Sequence, residues 1–461
     1  MPAKKPPLSR KWLLLSALGA AVCYHLAMLW QPVAGWLVLG YLAFLWQLRR
    51  AATARAGFYF GWMVGLCIMV PQTWFVYGIF KHLGILLWLL MSIWLGLLVA
   101  MWQAGAHRWG DRIMTVLAPV LMLGVEFFRS EIWPLRFTWD TAGFALPAVE
   151  WKSALWALGI YGTGALLLGL VTVATSKVRM AAVACIPLGI LLIGKLLPSG
   201  NNSASESLAV AGLQWEDGSS DLYLKWLDQS LLKHPATQLF VFSEYSFPGP
   251  PPPEITEWAR IHGRYVITCG ADIVPGATFD KYYNTAFVIG SDGSVVHRQV
   301  KAVPIQFMDD GLPAPRQAVW PSPWGKLGIC ICYDMNYTTV TDELVRQGAR
   351  ALVIPAMDRE NWGAAEHVLS ARLGATRAAE YGLPVFRLAS SGISQIIQSD
   401  GTIAAAGEFP GQGDTVAGEL ALGSPGHLPL DRWLAWPCVV VAGIVLLWLI
   451  VGDLHRRITR Q

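Results

Sequence analysis

Apolar residues fill most of the first 200 positions in runs too long for a soluble core, and short alternating runs begin only after them. A helix needs about 20 apolar residues to cross the hydrocarbon of a bilayer. This length predicts spans over residues 12–30, 33–48, 57–80, 84–103, 113–130, 153–175, 180–197 and 432–452. The first follows Lys4, Lys5, Arg10 and Lys11, and its apolar run exceeds the core of a signal peptide, so it is expected to stay as a membrane helix. The second is short and merges into Arg49 and Arg50.

Beyond the polar linker Asn201-Asn202-Ser203-Ala204-Ser205 the pattern changes. β-like runs are predicted at Leu208–Leu213, Leu239–Phe242, Tyr265–Cys269, Thr285–Ile289, Leu327–Cys332, Ala351–Ile354, Val385–Ala389 and Ser394–Gln398. Helical patterns fall between them at Leu222–Lys233, Glu254–His262, Thr341–Gly348 and Ala364–Tyr381. Mixed strands and helices at this spacing predict a layered α/β domain. Ser291-Asp292-Gly293-Ser294 marks a hairpin turn, and the run Pro248 to Pro253 a stiff loop. The expected organisation is a membrane domain over 1–200 with about seven transmembrane helices, a globular domain over 206–425, and a C-terminal transmembrane helix with a basic tail over 430–461.

Only 14% of the 461 residues are charged, against about 25% in soluble proteins. The net charge of +4 is spread beside the apolar spans and does not point to nucleic acid. Arg49, Arg50 and Arg55, then Arg108 and Arg112, then Lys177 and Arg179, then Arg456, Arg457 and Arg460 alternate with connections poorer in Lys and Arg. The positive-inside rule then places both termini in the cytoplasm and the globular domain on the opposite side, the periplasm of a Gram-negative cell. A miscounted span would reverse that domain. The connection 129–152 holds Trp133, Phe137, Trp139, Phe144 and Trp151, read as interfacial anchors or as one wall of a lipid-entry cleft. Glu126 and Arg129, three residues apart, are expected to pair.

The seven cysteines show no Cys-x-x-Cys and no metal-like spacing with histidine, so neither a zinc site nor another metal is expected. No Walker loop, dinucleotide fingerprint, Gly-x-Ser-x-Gly or His-Glu-x-x-His occurs. Three residues at the ends of apolar runs remain. Cys332, after Gly-Ile-Cys-Ile, has the chemistry of a nucleophile, although a strand cysteine is often only a small hydrophobe. Glu244, after Leu-Phe-Val-Phe-Ser, suits a general base held beside an apolar pocket, or a solvated loop acid. Lys301 suits an oxyanion partner, or a surface lysine. Cys330 is a rival nucleophile deeper in the same run, and His367 reads as structural.

The order Glu244, Lys301, Cys332 resembles the nitrilase (carbon–nitrogen hydrolase) superfamily, and the spans on both sides of the domain resemble its apolipoprotein N-acyltransferase branch. The motifs that carry the resemblance are Glu126-Phe127-Phe128-Arg129 through Trp139-Asp140 and Gly143-Phe144; Tyr283 to Phe287, Asp292-Gly293 and Lys301; Cys332-Tyr333-Asp334; and Arg377-Ala378-Ala379-Glu380-Tyr381-Gly382. Trp215-Glu216-Asp217-Gly218 matches a Trp-acidic segment near the family's lipid site. The resemblance implies an αββα sandwich beside a multi-span helical bundle. It implies a Glu244-Lys301-Cys332 triad, an oxyanion held by Lys301 and the Tyr333 backbone N–H, and a thioester acyl-enzyme with no cofactor. Asp334, Trp215, Arg377 and Glu380 are implied as supporting residues. The implied partners are a membrane phospholipid as acyl donor and a protein or small amine as acceptor, with the bacterial inner membrane as location.

Three departures stand out, one of them a shortened segment before the last span. Phe-Ser-Glu replaces the usual Trp-Pro-Glu, and Lys301 runs directly into Ala-Val-Pro-Ile-Gln-Phe, without the family's additional glutamate. Asp309 or Asp310 is the available substitute. The departures also resemble the divergent conjugal transfer protein TraB branch, which implies conjugation machinery as a partner and another substrate. Amide hydrolysis by the same triad and a non-catalytic membrane scaffold complete the alternatives.

Overall fold

The computed structural model describes residues 6–175, 206–276 and 281–458, with the side chains of the last helix described as far as Gly452. The chain forms two compact units, Met1–Pro198 with Pro429–Gln461, and Ser199–Leu428.

The first unit is helical: α1 Arg10–Leu29, α2 Ala34–Gln47, α3 Ala54–Gln72, α4 Phe75–Phe80, α5 His82–Trp109, α6 Asp111–Phe127, α7 Ala148–Thr175 and a C-terminal helix Asp431–Ile458. Six helices among the described residues are long and apolar enough to cross a membrane: Arg10–Leu29, Ala54–Gln72, His82–Trp109, Asp111–Ile132, Ala148–Thr175 and Asp431–Gly452. The expected span 33–48 forms a helix of only 14 residues. The expected span 57–80 breaks after Gln72, where Pro71 has no N–H to continue the ladder and Thr73 closes the helix onto the Met69 carbonyl. The expected span 180–197 lies outside the described residues.

Two further expectations change in this unit. Arg129 pairs with Asp140 at 2.5 Å, while Glu126 accepts from the Ala142 amide at 3.4 Å, so the close partner of Arg129 is Asp140, and Glu126 acts on it only electrostatically. The connection after α6 folds back into the bundle and carries Asp140 there. For the same reason Trp139 and Phe144 are buried, and the Trp139 carbonyl accepts from Tyr24 and Gln72. The C-terminal helix is fastened to α7 by Asp431, whose carboxylate accepts from the Tyr161 and Gly162 amides just after the break at Gly159.

The second unit is a four-layer αββα sandwich. Its strands are β1 Glu206–Leu213, β2 Leu239–Val241, β3 Tyr265–Ile273, β4 Tyr282–Ile289, β5 Val295–Val300, β6 Trp320–Ser322, β7 Gly325–Ile329, β8 Ala351–Ala356, β9 Val385–Ala389, β10 Gln395–Ile397, β11 Ile403–Ala406 and β12 Thr415–Leu422. They form two six-stranded sheets, ordered β12-β1-β2-β3-β4-β5 and β11-β10-β9-β8-β7-β6. In each sheet three central strands run parallel and the flanking pairs are antiparallel, so the two sheets repeat one pairing plan.

Alternation along the strands explains the layers. Leu239, Val241 and Ile267 face the core between the sheets with Ile329, Val353 and Phe386. Their neighbours Phe240, Phe242 and Val266 face outward onto helices Ser220–Lys233 (α8) and Pro253–His262 (α9). Thr338–Arg346 (α10) and Ala364–Tyr381 (α11) cover the other sheet. Catalytic groups collect at one end of such a sandwich because the connections after parallel strands all leave from the same end.

The loop that begins at Glu244 lies directly on β3. Ser246 exchanges hydrogen bonds with the Cys269 backbone, and a Cβ at Gly270 would sit 2.1 Å from the Gly249 carbonyl oxygen. Gly270→Ala is therefore expected to push that loop outward and destabilise the domain by about 1–3 kcal/mol. Thermal unfolding beside the unaltered protein measures it; an unchanged midpoint means the contact is soft.

Candidate active site

Glu244, Lys301 and Cys332 stand far apart in the chain and meet at the ends of β2, β5 and β7. Lys301 Nζ lies 2.7 Å from Glu244 Oε1 and 2.7 Å from Asp310 Oδ2. The Cys332 thiol is close enough to the Glu244 carboxylate for the two to act on each other electrostatically. Lys301 is fully buried and Glu244 nearly so.

Each group is held by its surroundings. Glu244 Oε1 also accepts from Asn284 Nδ2 at 2.6 Å, and Oε2 accepts from the Met357 amide at 2.9 Å. Asp310 accepts from Asn284 at 2.9 Å, the Tyr245 hydroxyl at 3.0 Å and the Ile305 amide at 2.7 Å. The ammonium is thus shared by two carboxylates, and one asparagine bridges them.

Asp310, not Asp309, occupies the position at the lysine. Asp309 is exposed and accepts from the Tyr282 hydroxyl at 3.3 Å. The Ile305 amide draws Asp310 inward, and the residues between them, Gln306 to Asp309, stay at the surface.

Cys332 does not sit on a strand. Strand β7 ends at Ile329, and Cys332 opens a tight helical turn, Cys332–Asn336, with φ of +51°. An L-residue in the left-handed region carries strain that the surroundings must impose. Asp334 imposes it: its carboxylate accepts from the Ile331 amide at 3.2 Å and from the Ala302 and Val303 amides at 3.0 and 2.8 Å. One side chain therefore ties the cysteine turn to the chain just after Lys301. Arg377 secures the other end of the turn, donating to the Met335 and Asn336 carbonyls at 3.0 and 2.7 Å and to Glu380 at 2.5 Å. Trp215 adjoins the base segment through its carbonyl, which accepts from Ser243 at 3.1 Å. These supporting residues hold backbone around the site.

The electrostatics follow from burial. Burial works against the Lys301 ammonium, but the carboxylates of Glu244 and Asp310 outweigh it and hold its pKa well above the usual lysine range. Burial pushes the Glu244 carboxyl up, Lys301 pulls it down, and Asp310 raises it again. Burial and then Glu244 push the Cys332 thiol well above its usual value. The resting cysteine is consequently a thiol, and the adjacent carboxylate is the group able to take its proton. Asp334 is raised to about 6 by burial, against the pull of its backbone donors. Cys330 is fully buried while Cys332 is half-buried, so Cys330 is the less accessible of the two thiols.

Asn284, Tyr245 and the Met357 amide were not among the residues expected at the site. Asn284 offered one signal, as a polar residue within the motif Tyr283 to Phe287. A backbone amide offers none.

The comparisons divide the chain as its structure does. A carbon–nitrogen hydrolase family model matches residues 209–424, and a model of the apolipoprotein N-acyltransferase N-terminal domain matches residues 18–174. The apolipoprotein N-acyltransferase of Allorhizobium ampelinum is 22% identical over 423 residues, covering 76% of this chain and 77% of that protein. Omega-amidase NIT2-B of Xenopus laevis is 30% identical over 126 residues, 25% of this chain and 45% of that protein, so the chain spans under half the length of that relative. The crystal structure of Saccharomyces cerevisiae Nit3 superposes with a TM-score of 0.40 at 20% identity, covering 47% of this chain and 91% of that one. With one model on each structural unit, the chain is an apolipoprotein N-acyltransferase-like membrane protein of the nitrilase (carbon–nitrogen hydrolase) superfamily.

Proposed function

We propose that the protein is a membrane-bound N-acyltransferase that moves an acyl chain from a phospholipid to an amine, such as a lipoprotein N-terminus, through a thioester on Cys332. The observation that carries this reading is the half-buried Cys332 beside the buried Glu244, whose carboxylate also holds Lys301 at 2.7 Å. The relatives named as apolipoprotein N-acyltransferases support the substrate class and an inner-membrane location, the apolar helices support a membrane location, and the alternation of basic connections is the ground for placing the αββα domain in the periplasm.

Glu244 takes the thiol proton as Sγ attacks the ester carbonyl. Lys301 and the Tyr333 backbone N–H stabilise the oxyanion. The C–O bond breaks, Glu244 returns the proton to the leaving alkoxide, and the acyl group stays on sulfur. An amine then attacks the thioester carbonyl, gives its proton to Glu244, and releases the amide and the thiol. Asp310 keeps Lys301 charged and in place throughout. No cofactor has a role in this sequence.

Water in place of the amine makes the same site an amidase or esterase, a reading favoured by the match to omega-amidases. Neither matching family description refers to conjugation.

Purified protein is to be incubated with a phospholipid carrying an isotopically labelled chain and a synthetic lipopeptide with a free N-terminal amine. Labelled amide is expected, reduced at least about a hundredfold in Cys332→Ala and Glu244→Gln. Labelled free acid alone would identify a hydrolase, and undiminished amide in Cys332→Ala would sink the proposal.

The acid limb of the pH–rate profile offers a second check. Glu244 must be ionised to act as base, so activity is lost as pH falls through its raised folded value. Asp310 contributes to that rise. Asp310→Asn is therefore expected to move the acid limb to lower pH while lowering the maximal rate. A limb that stays in place would mean that Asp310 does not act on the base.

A further inference from the structure

The segment after β8 belongs to a second buried polar cluster. Asp358, Glu366 and His367 bring three ligand-type atoms within 4.8 Å of one another, all buried. Their bonding does not suit a metal ion. The Arg387 guanidinium is bonded to the Asp358 carboxylate. Both ring nitrogens of His367 face carbonyl oxygens, Nδ1 that of Gly392 and Nε2 that of Arg359 at 3.0 Å. A carbonyl oxygen only accepts, so neither nitrogen directs a lone pair into the cluster.

The cluster instead grips two consecutive residues, Asp358 and Arg359. The Asp358 side chain is held by Arg387, which also donates to the Ile393 carbonyl at 2.8 Å. The Asp358 carbonyl accepts from the hydroxyls of Ser390 at 2.9 Å and Ser391 at 2.5 Å. The Arg359 carbonyl is held by His367. Directly before these two residues, the Met357 amide donates to Glu244 Oε2 at 2.9 Å. The segment has no slack between its anchors and that amide.

We propose that Asp358, Arg387, Ser390 and Ser391 are positioning residues that hold the Met357 amide on Glu244 Oε2, reserve Oε1 for Lys301 and Asn284, and so orient the base toward Cys332. The inference rests on Glu244 acting as the base. It extends the site to four side chains, all in the half of the domain that supplies Cys332, none of which belongs to the triad. The charged and titratable groups facing Glu244 are Lys301, Asp310, Cys332, Cys269 and Tyr245; those facing Asp358 are Arg387, Glu366, His367 and Cys332. Glu366 has an oxygen with no hydrogen-bond partner among the described residues, and burial holds its carboxyl well above the usual range.

The serines allow a test that changes no charge. Loss of both hydroxyls frees the Asp358 carbonyl and lets the Met357 amide withdraw. An amide that donates to a carboxylate holds its pKa down, so withdrawal raises the Glu244 value and moves the acid limb upward. The readout is the burst of nitrophenolate from p-nitrophenyl butyrate, followed across pH with the full-length protein. The Ser390→Ala, Ser391→Ala double variant is expected to shift the acid limb up by about one pH unit, the size of one hydrogen bond to a charged group. At neutral pH its burst should slow about tenfold with KM little changed, and each single variant should shift the limb less. If the double variant does not fold, the single variants carry the test by the direction of their shift. A folded variant with the limb of the unaltered protein overturns the proposal. Glu244→Gln separates the two ideas: a normal burst there removes the base reading itself, as does the lack of any Cys332-dependent burst in the unaltered protein.

Discussion

A fully buried ammonium held between two carboxylates is the constraint on which the catalytic domain depends. Lys301 Nζ sits 2.7 Å from both Glu244 and Asp310. Removing charges from water costs several kcal/mol per ion, and only close partners return it. Loss of one partner leaves an unpaired buried charge, a penalty of about 3–5 kcal/mol. The two acids are therefore bound to the lysine as firmly as the lysine is to them. Their backbone follows: the loop after β2 must present Glu244, and the stretch after β5 must turn back to bring in Asp310. Asn284 adds one hydrogen bond to each acid from a neutral donor that brings no charge to the site.

The cysteine joins this centre from the other sheet, through backbone contacts. Asp334 binds amides on both sides of the divide, one from the cysteine turn and two from the chain after Lys301. Arg377 closes the same turn from α11. The two sheets have matching pairing plans, and each contributes its share at corresponding ends, so that registration of the sheets is also registration of Cys332 against Glu244. The packed apolar core between the sheets and the buried ion triad thus serve one requirement.

Glu244, Lys301 and Cys332 stood out in the sequence because each ends an apolar run, and α11 was legible over its full length, Ala364–Tyr381, from its helical pattern. The choice between Asp309 and Asp310 was not, because two adjacent acids differ only in which one the loop turns inward. Cys332 read as the end of a strand because Ile-Cys-Ile-Cys is apolar throughout. Hydrophobicity does not report the turn that Asp334 enforces three residues after Ile331. Arg377 and Glu380 were expected as supporting residues, and the structure gives their means of support as hydrogen bonds to carbonyls and to each other. In the helical unit, hydropathy found the long helices but overran the break after Gln72, since Trp74 to Phe80 is as apolar as the helix before it. Trp139 and Phe144 suited an interface by composition and are buried because Asp140 draws their connection back to Arg129.

The most direct test of the central claim is the intact mass of the purified protein after brief exposure to phospholipid, with Cys332→Ala alongside. The account predicts a mass increase of one acyl chain that hydroxylamine removes and that the variant lacks. An acyl adduct of equal yield on the variant, or one that resists hydroxylamine, would contradict a thioester on Cys332.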